Sequence, residues 1–479
     1  VKRTSTALML LLLLLAGCTS LDPKLTPTPL PVPASWPAGD AYLRQNEVAL
    51  PVFTYRDVFR DVRLQALIQQ ALANNRDIRI AVANIAAARE RVTITRANQF
   101  PRVDSSADTS VSKGGSTAGA VGSSGGVRQS YALRVSPSFE IDLFGRLASL
   151  TRAEQQRFLA TEAAARSVRL TLIGDLADAW LDYAADSSLL RIAEDTAAAA
   201  EQSLTLTRAR LRGGVAPATD LLQAQQVLET ARQDVAEQRT ARAQDANLIQ
   251  LLVGAPIAPG TLPESIERAG DTFAPLPAGL DSRVLLRRPD VVQAEFTLYA
   301  ANAEIGAARA ALFPTISLTG LLGLASSSLT SLFSSGAFTW SAGAGAGYTI
   351  FNAGAGRANV RLSQAERDAA LASYERAIQT AFREVADALA DRGTVEERLR
   401  ATQANVAAAS ETLRLVNARY RGGIDSYFTT LDAQRTLYNA QQGRVAVQRQ
   451  RAGNAVDLYR ALGADAAIAE PTEPGEAGS

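Results

Sequence analysis

The chain carries one long segment twice, and this limits its fold more than any single motif does. RARLRGGVAPATDLLQAQQVLE at 208–229 overlays NARYRGGIDSYFTTLDAQRTLY at 417–438 at an offset of 209. Gly213/Gly422, Gly214/Gly423, Leu222/Leu431, Ala224/Ala433 and Gln225/Gln434 coincide. The copies close alike, on LLVGA (251–255) and RALGA (460–464). Upstream, RANQFPRV (96–103) overlays RAALFPTI (309–316) at an offset of 213, and EIDLFGR (140–146) matches TIFNAGA (349–355) at 209. The 479 residues are therefore a duplicated unit of about 210 residues, and whatever one copy folds into the other should repeat.

Each copy reads in the same order. A helix is expected over 77–98 and again over 290–311, with Asp77 and Asp290 near the positive end of the helix dipole. Phe100-Pro101 and Phe313-Pro314 stop them, because proline disfavours helix at the residue before it. Period-two strands follow. Over 131–141, Tyr131, Leu133, Val135, Pro137, Phe139 and Ile141 alternate with Arg134, Ser136, Ser138 and Glu140. Ile316, Leu318, Leu322 and Leu324 alternate with Thr315, Ser317 and Thr319, and a further strand runs over 338–350. The segment 103–112 is a weaker partner, rich in Ser, Thr and Ala. These lengths suit a tilted membrane-crossing strand, which takes about 9–11 residues, and aromatics gather toward the strand ends as in an interfacial girdle. The pattern also fits the edge of a soluble β-sandwich, but so few strands would bury little by themselves.

Very long helices come next. Residues 147–212 and 357–421 hold one glycine each and no proline. At 1.5 Å per residue, 65 residues would extend about 98 Å. Leu172, Leu176, Trp180 and Tyr183, like Ile378, Phe382, Val385 and Leu389, step by three and four, which gives a narrow coiled-coil stripe. Arg212-Gly213-Gly214-Val215 and Arg421-Gly422-Gly423-Ile424 read as helix ends, with glycine in the left-handed cap and arginine against the C-terminal dipole. The chain then turns back into helices over 218–253 and 427–462. RGG also occurs in nucleic-acid-binding boxes; two isolated copies in a chain of 49 basic and 48 acidic residues do not make one.

Histidine is absent and Cys18 is the sole cysteine. Those counts exclude a Cys/His zinc site, a Ser-His-Asp triad and an internal disulfide. No GxxxxGK[ST] nucleotide motif occurs. Acidic pairs leave carboxylate chemistry open, such as cell-wall hydrolysis, but none sits in a recognisable motif. No catalytic residue, cofactor or metal is expected.

The first residues, VKRTSTALMLLLLLLAGCTS, place Lys2 and Arg3 before an apolar run from Ala7 to Ala16. The run is too short for a membrane helix, which needs about 20 residues, and reads as a signal peptide over 1–17. LAGC (15–18) resembles a bacterial lipobox, in which the cysteine thiol is lipidated. Six prolines between 22 and 40 favour an extended tether. The expected segments are a signal peptide (1–17), an anchor and tether (18–55), a first repeat (56–270), a second repeat (271–463) and a tail (464–479).

Four strands per chain leave open edges, which lipid does not tolerate. Bacterial barrels begin at eight strands, so the chain is expected to oligomerise; patterning alone permits two copies or three.

LAGC, EIDLFGR, RRPDVVQAE (287–295), the FP before each strand pair and the two RGG[VI]…AQ segments together resemble the TolC/OprM outer-membrane efflux proteins, in their NodT-like lipoprotein branch. The resemblance covers Cys18 to about Gly463. It implies a mainly α fold with a small transmembrane β part: a homotrimer whose twelve-strand β-barrel, four strands per chain, continues into a long periplasmic α-helical barrel. An equatorial region would draw on 254–280 and the C-terminal end. Function would be that of a passive exit duct of a tripartite efflux system, in the outer membrane of a Gram-negative bacterium and lipid-anchored at Cys18. Partners would be outer-membrane lipid, a periplasmic adaptor and an inner-membrane pump of the RND type, with no nucleic acid. The adaptor would dock at Arg212, Gly213, Gly214, Val215, Arg421, Gly422, Gly423 and Ile424. The periplasmic gate would fall on Phe428 as apolar constriction, Asp432 as carboxylate ring and Arg435 as its ion partner. Asp432 and Arg435 also read as an ordinary surface helical pair. Copy one has Thr219, Gln223 and Gln226 at the matching positions. Alternatives are the outer-membrane part of a type I secretion system and a lipid-anchored periplasmic coiled-coil adaptor.

Overall fold

The computed structural model describes residues 21–25, 31–33, 35–37, 39, 41–42, 54–113, 127–274 and 282–464. Cys18, the signal segment, most of the tether and the tail lie outside them. The order is α1 (Tyr55–Val58), α2 (Val62–Asn74), α3 (Arg76–Ala97), β1 (Arg102–Lys113), β2 (Val127–Ile141), α4 (Arg146–Arg212), α5 (Ala218–Val253) and α6 (Ile266–Gly270). A 3-10 turn (Ser282–Arg287) leads to α7 (Pro289–Ala310), β3 (Thr315–Ser326), β4 (Phe338–Gly347), α8 (Ala355–Arg421) and α9 (Tyr427–Ala461). The duplication is visible in the backbone. Gly145 and Gly354, Gly214 and Gly423, and Gly254 and Gly463 all have positive φ, each pair 209 residues apart.

The chain divides into two compact units, 1–29 with 84–162 and 293–374, and 30–83 with 163–292 and 375–479. Each unit draws on both sequence copies.

The first unit holds one four-stranded antiparallel sheet in the order β1-β2-β3-β4. Its register lines up the alternating residues into two unlike faces. Leu133–Leu324–Phe338, Val135–Leu322–Trp340, Phe139–Leu318–Ala344 and Ile141–Ile316–Ala346 form apolar rows across three strands. The opposite face carries Arg134–Gly323–Thr339, Ser138–Thr319–Gly343 and Glu140–Ser317–Gly345. Pro137 interrupts the β2–β3 ladder, since it has no N–H to donate. Gly320 makes room for its ring, and a Cβ there would stand 2.9 Å from Pro137 Cγ. β1 and β4 each pair on one side only. The strand expected over 338–350 ends at Gly347, leaving Tyr348, Thr349 and Ile350 outside it. Gly347 pairs with Thr315, and the next residue back is Pro314, which cannot extend the ladder.

The second unit is built on the long helices. Its core gathers Leu64, Leu67 and Ile68 of α2, Ile173, Leu176, Trp180 and Leu181 of α4, Ile249 of α5, Ile266 of α6 and Tyr459 of α9, all essentially without solvent contact. Phe59 packs between Phe273 and Tyr459 with both ring pairs tilted at 55°, and Trp36 stacks on Phe382 at 4.9 Å.

The start of one helix ties to the end of another twice over, by different chemistry. In copy one, Asn75 accepts from the Asp77 and Ile78 amides as an N-cap and donates to Leu252 O at 2.9 Å. In copy two, Arg288 donates to Ala461 O at 2.8 Å and pairs with Asp290 and Glu384. Leu252 and Ala461 are themselves 209 apart.

Among the described residues no helix is long and apolar enough to cross a membrane, and no cluster of three or more acidic or cysteine side chains is placed to hold a metal ion.

Candidate functional site at the helical hairpin ends

Both RGG segments form the same helix stop. Val215 N donates to Arg210 O and Gly214 N to Leu211 O; Ile424 N donates to Arg419 O and Gly423 N to Tyr420 O. This is the six-to-one and five-to-two bonding of a Schellman cap. The second glycine of each pair takes the left-handed conformation, Gly214 at φ +74° and Gly423 at φ +77°. Gly213 and Gly422 do not, which narrows the cap expected of the whole RGG to its last residue.

The two turns are fastened together beneath the surface. Tyr420, one residue before Arg421, is buried against Tyr427 with ring centroids 5.6 Å apart. Its hydroxyl lies 3.2 Å from that of Thr207, and its carbonyl accepts from Arg210 at 2.8 Å. The Arg210 guanidinium also sits 4.6 Å from the Tyr420 ring centroid, a cation–π contact. Ala200, Leu204, Ala224 and Leu228 complete this small core. The phenol of Tyr427 is pushed up to about 12, by burial first and then by Tyr420 and Asp220. Its hydroxyl and that of Thr430 are buried without a hydrogen-bond partner.

Around that core the outer surface is open and partly apolar. Val215, Leu222, Ile424 and Phe428 are each at least 60 % exposed, and Arg212 and Arg421 are exposed beside them. Phe428, Asp432 and Arg435 step by four and three along α9 and share an exposed face, opposite buried Tyr427, Thr430 and Ala433. Asp432 and Arg435 do not pair with each other among the described residues. The ion pair at this turn is Arg419 with Asp425, at 2.7 and 2.9 Å; it lowers the Asp425 carboxyl and raises the Arg419 guanidinium. Thr219, Gln223 and Gln226 occupy the matching stretch of α5, with Thr219 and Gln226 exposed.

Sequence reasoning passed over Tyr420, Tyr427 and Arg210. The signal was present in the repeat itself: Tyr420 replaces Leu211 and Tyr427 replaces Ala218 at the same offset, so a pair of aromatics enters only the second copy.

A duplicated chain with two capped hairpin ends and a two-faced sheet of free edges belongs to the outer membrane efflux protein family, whose model matches it twice, over 67–255 and 280–464. It is an outer-membrane component of an efflux system. The toluene efflux pump outer membrane protein TtgC of Pseudomonas putida is 41% identical over 452 residues, covering 94% of this chain and 93% of TtgC. The cation efflux system protein CusC of Escherichia coli is 36% identical over 458 residues, covering 94% and 97%. A solved structure of CusC superposes with a TM-score of 0.81 over 93% of this chain and all of that one. The open-state outer membrane channel MtrE of Neisseria gonorrhoeae is 33% identical, with a TM-score of 0.79 over 93% of this chain and 98% of MtrE.

Proposed function

We propose that the chain is the passive exit duct of a tripartite efflux system, working as a homotrimer. The carrying observation is the sheet: four strands with one apolar and one polar face, and an unpaired edge at β1 and at β4. In lipid each unpaired backbone group costs several kcal/mol, so β4 of one copy would pair with β1 of the next. Three copies close twelve strands, with the Arg134–Glu140 face toward water and the Leu133–Ile141 face toward lipid.

In this reading Cys18 carries the lipid anchor and 1–17 is removed. Residues 18–55 lead to two structural repeats, 56–270 and 271–463, followed by a tail at 464–479. The hairpin ends at Arg212–Val215 and Arg421–Ile424 receive a periplasmic adaptor. Their exposed apolar side chains, flanked by arginine, suit docking of another helical surface. An RND-type inner-membrane pump supplies the energy, and the chain itself catalyses nothing. Relatives named for toluene and for cations share this architecture, which suits a duct whose cargo is chosen by the pump.

Phe428, Asp432 and Arg435 would form the periplasmic gate. All three are exposed in the single chain, so in a trimer they are free to face the axis, with Asp432 repelling its own copies or meeting the Arg435 of another. Single-channel recording in planar bilayers tests this. Asp432→Ala and Phe428→Ala should each raise closed-state conductance; wild-type conductance in both would remove the gate from this face.

A further inference from the structure

We propose that Leu21-Asp22-Pro23 is a latch, seated in a groove between the start of α4 and the end of α7, that pins the N-terminal arm to the membrane-side root of the helices. Asp22 is held from two directions. Its Oδ2 accepts from Arg152 Nε at 2.9 Å and Nη2 at 2.7 Å, and its Oδ1 accepts from Ser149 Oγ at 2.9 Å. Ser149 is buried, and Arg152 braces its hydroxyl at 2.8 Å. The backbone on either side is fixed as well. Arg309 donates to Leu21 O at 3.1 Å, and buried Asn302 donates to Pro23 O at 2.8 Å. Gly306 is the floor of the groove: a Cβ there would come within 1.7 Å of Asp22 Oδ1 and 3.0 Å of its backbone nitrogen.

The duplication supplies an internal control. At offset 209 Ser149 and Arg152 correspond to Ala358 and Arg361; at offset 213 Asn302, Gly306 and Arg309 correspond to Arg89, Thr93 and Arg96. The other copy builds the same helices without the buried serine, the asparagine or the glycine, so the fold does not require them. They occur together only where the arm lies. The groove also sits next to the strands: α4 begins five residues after β2 ends, α7 ends five residues before β3 begins, and Phe144 stacks on Phe313 between them at 4.6 Å. Cys18 is three residues before Leu21, and at about 3.6 Å per residue the chain cannot carry it more than about 11 Å from that point. The latch therefore sets where a lipid on Cys18 is held. This last step rests on the lipidation proposed above; the latch does not.

Lys24 follows the latch directly and is exposed, so trypsin reports on it. Full-length protein purified from membranes in detergent should release its N-terminal peptide at Lys24–Leu25 about tenfold or more slowly than Asp22→Ala does, since each charge-assisted bond holding the arm closed is worth a factor of that order in the open population. Gly306→Leu, which fills the groove from its floor, should be cut as fast as Asp22→Ala, while Thr93→Leu at the matching position of copy one should behave as wild type. Equal cutting of wild type and Asp22→Ala would overturn the latch. The mass of the released peptide separates the two claims. A slow-cut peptide without lipid leaves the latch standing and removes the anchor at Cys18; a lipidated peptide cut equally fast in all variants does the reverse.

Discussion

Gly422 and Gly423 are neighbours in sequence, yet the backbone asks different things of them. Gly423 sits at φ +77° with open space around it, whereas Gly422 is in the ordinary region and a Cβ there would make normal contacts at 3.5 Å and beyond. Gly423→Ala should therefore cost about 1 kcal/mol through the left-handed conformation alone, and Gly422→Ala close to nothing. Thermal denaturation of the two variants decides it; equal loss would mean that both glycines are needed for something besides the turn. Tyr427 offers a test of opposite sign. Its hydroxyl is buried without a partner, and an unpaired buried polar group costs about 1–3 kcal/mol. Tyr427→Phe should leave stability unchanged or raise it, and a clear loss would show that the phenol has a partner in the assembled protein. At Arg288 the same reasoning predicts harm. Its guanidinium serves Asp290, Glu384 and Ala461 O together. Arg288→Met would strand a carbonyl and two carboxylates, at about 2 kcal/mol given that the carboxylates are partly exposed.

At the scale of elements, α4 carries Asp175, Asp178, Asp182 and Asp186 at steps of three and four, and α9 answers with two arginines. Arg460 reaches Asp175 and Asp178; Arg449 reaches Asp178 and Asp182. Asp186 faces Asp245 of α5 instead, and the Asp245 carboxyl is pushed up to about 7, by burial first and then by Asp186 and Asp182. An acid raised on folding binds an extra proton in the native state. Stability should therefore fall as pH rises from the unfolded carboxylate value of about 4 to about 7. Asp245→Asn should flatten that decline and raise Tm at pH 8, with little change at pH 4; an unaltered pH profile would mean that the two carboxyls are separated in the assembly. The long helices and their stops were legible in the sequence because proline, glycine and arginine punctuate them, and both RGG turns fall where those residues put them. α2 was not, although Leu64, Leu67, Ile68 and Ala71 make a helical stripe in plain view. Reading by duplication hid it: at offset 213 it maps onto 275–287, where Pro275 and Pro277 stand and the described part is a 3-10 turn. The Asn75 and Arg288 ties were hidden likewise, since one geometric task is done by two unlike side chains. The face shared by Phe428, Asp432 and Arg435 was legible from spacing, but the Arg419–Asp425 pair was not, because it closes across a turn rather than along a helix.

For the whole molecule, closure of the sheet decides what kind of object this is. One copy supplies an apolar face and a polar face but leaves β1 and β4 open. Burying the apolar face in lipid therefore requires β4 of each copy to meet β1 of another. Such a head-to-tail contact either closes into a ring or propagates. Cysteine cross-linking distinguishes these outcomes, and Cys18, the sole native cysteine, lies well away from both strands in sequence. Ser106 of β1 pairs with Arg134, Arg134 with Gly323 and Gly323 with Thr339, so Ser341, Gly343 and Gly345 of β4 are on the same face as Ser106. Ser106→Cys should be combined in turn with Ser341→Cys, Gly343→Cys and Gly345→Cys, oxidised in isolated outer membranes and run without reductant. One of the three should give a covalent species of three chains as its end point, with the two-chain form only as an intermediate. An end point of two chains would mean an eight-strand ring, a ladder running past three an open polymer, and either would overturn the trimeric duct.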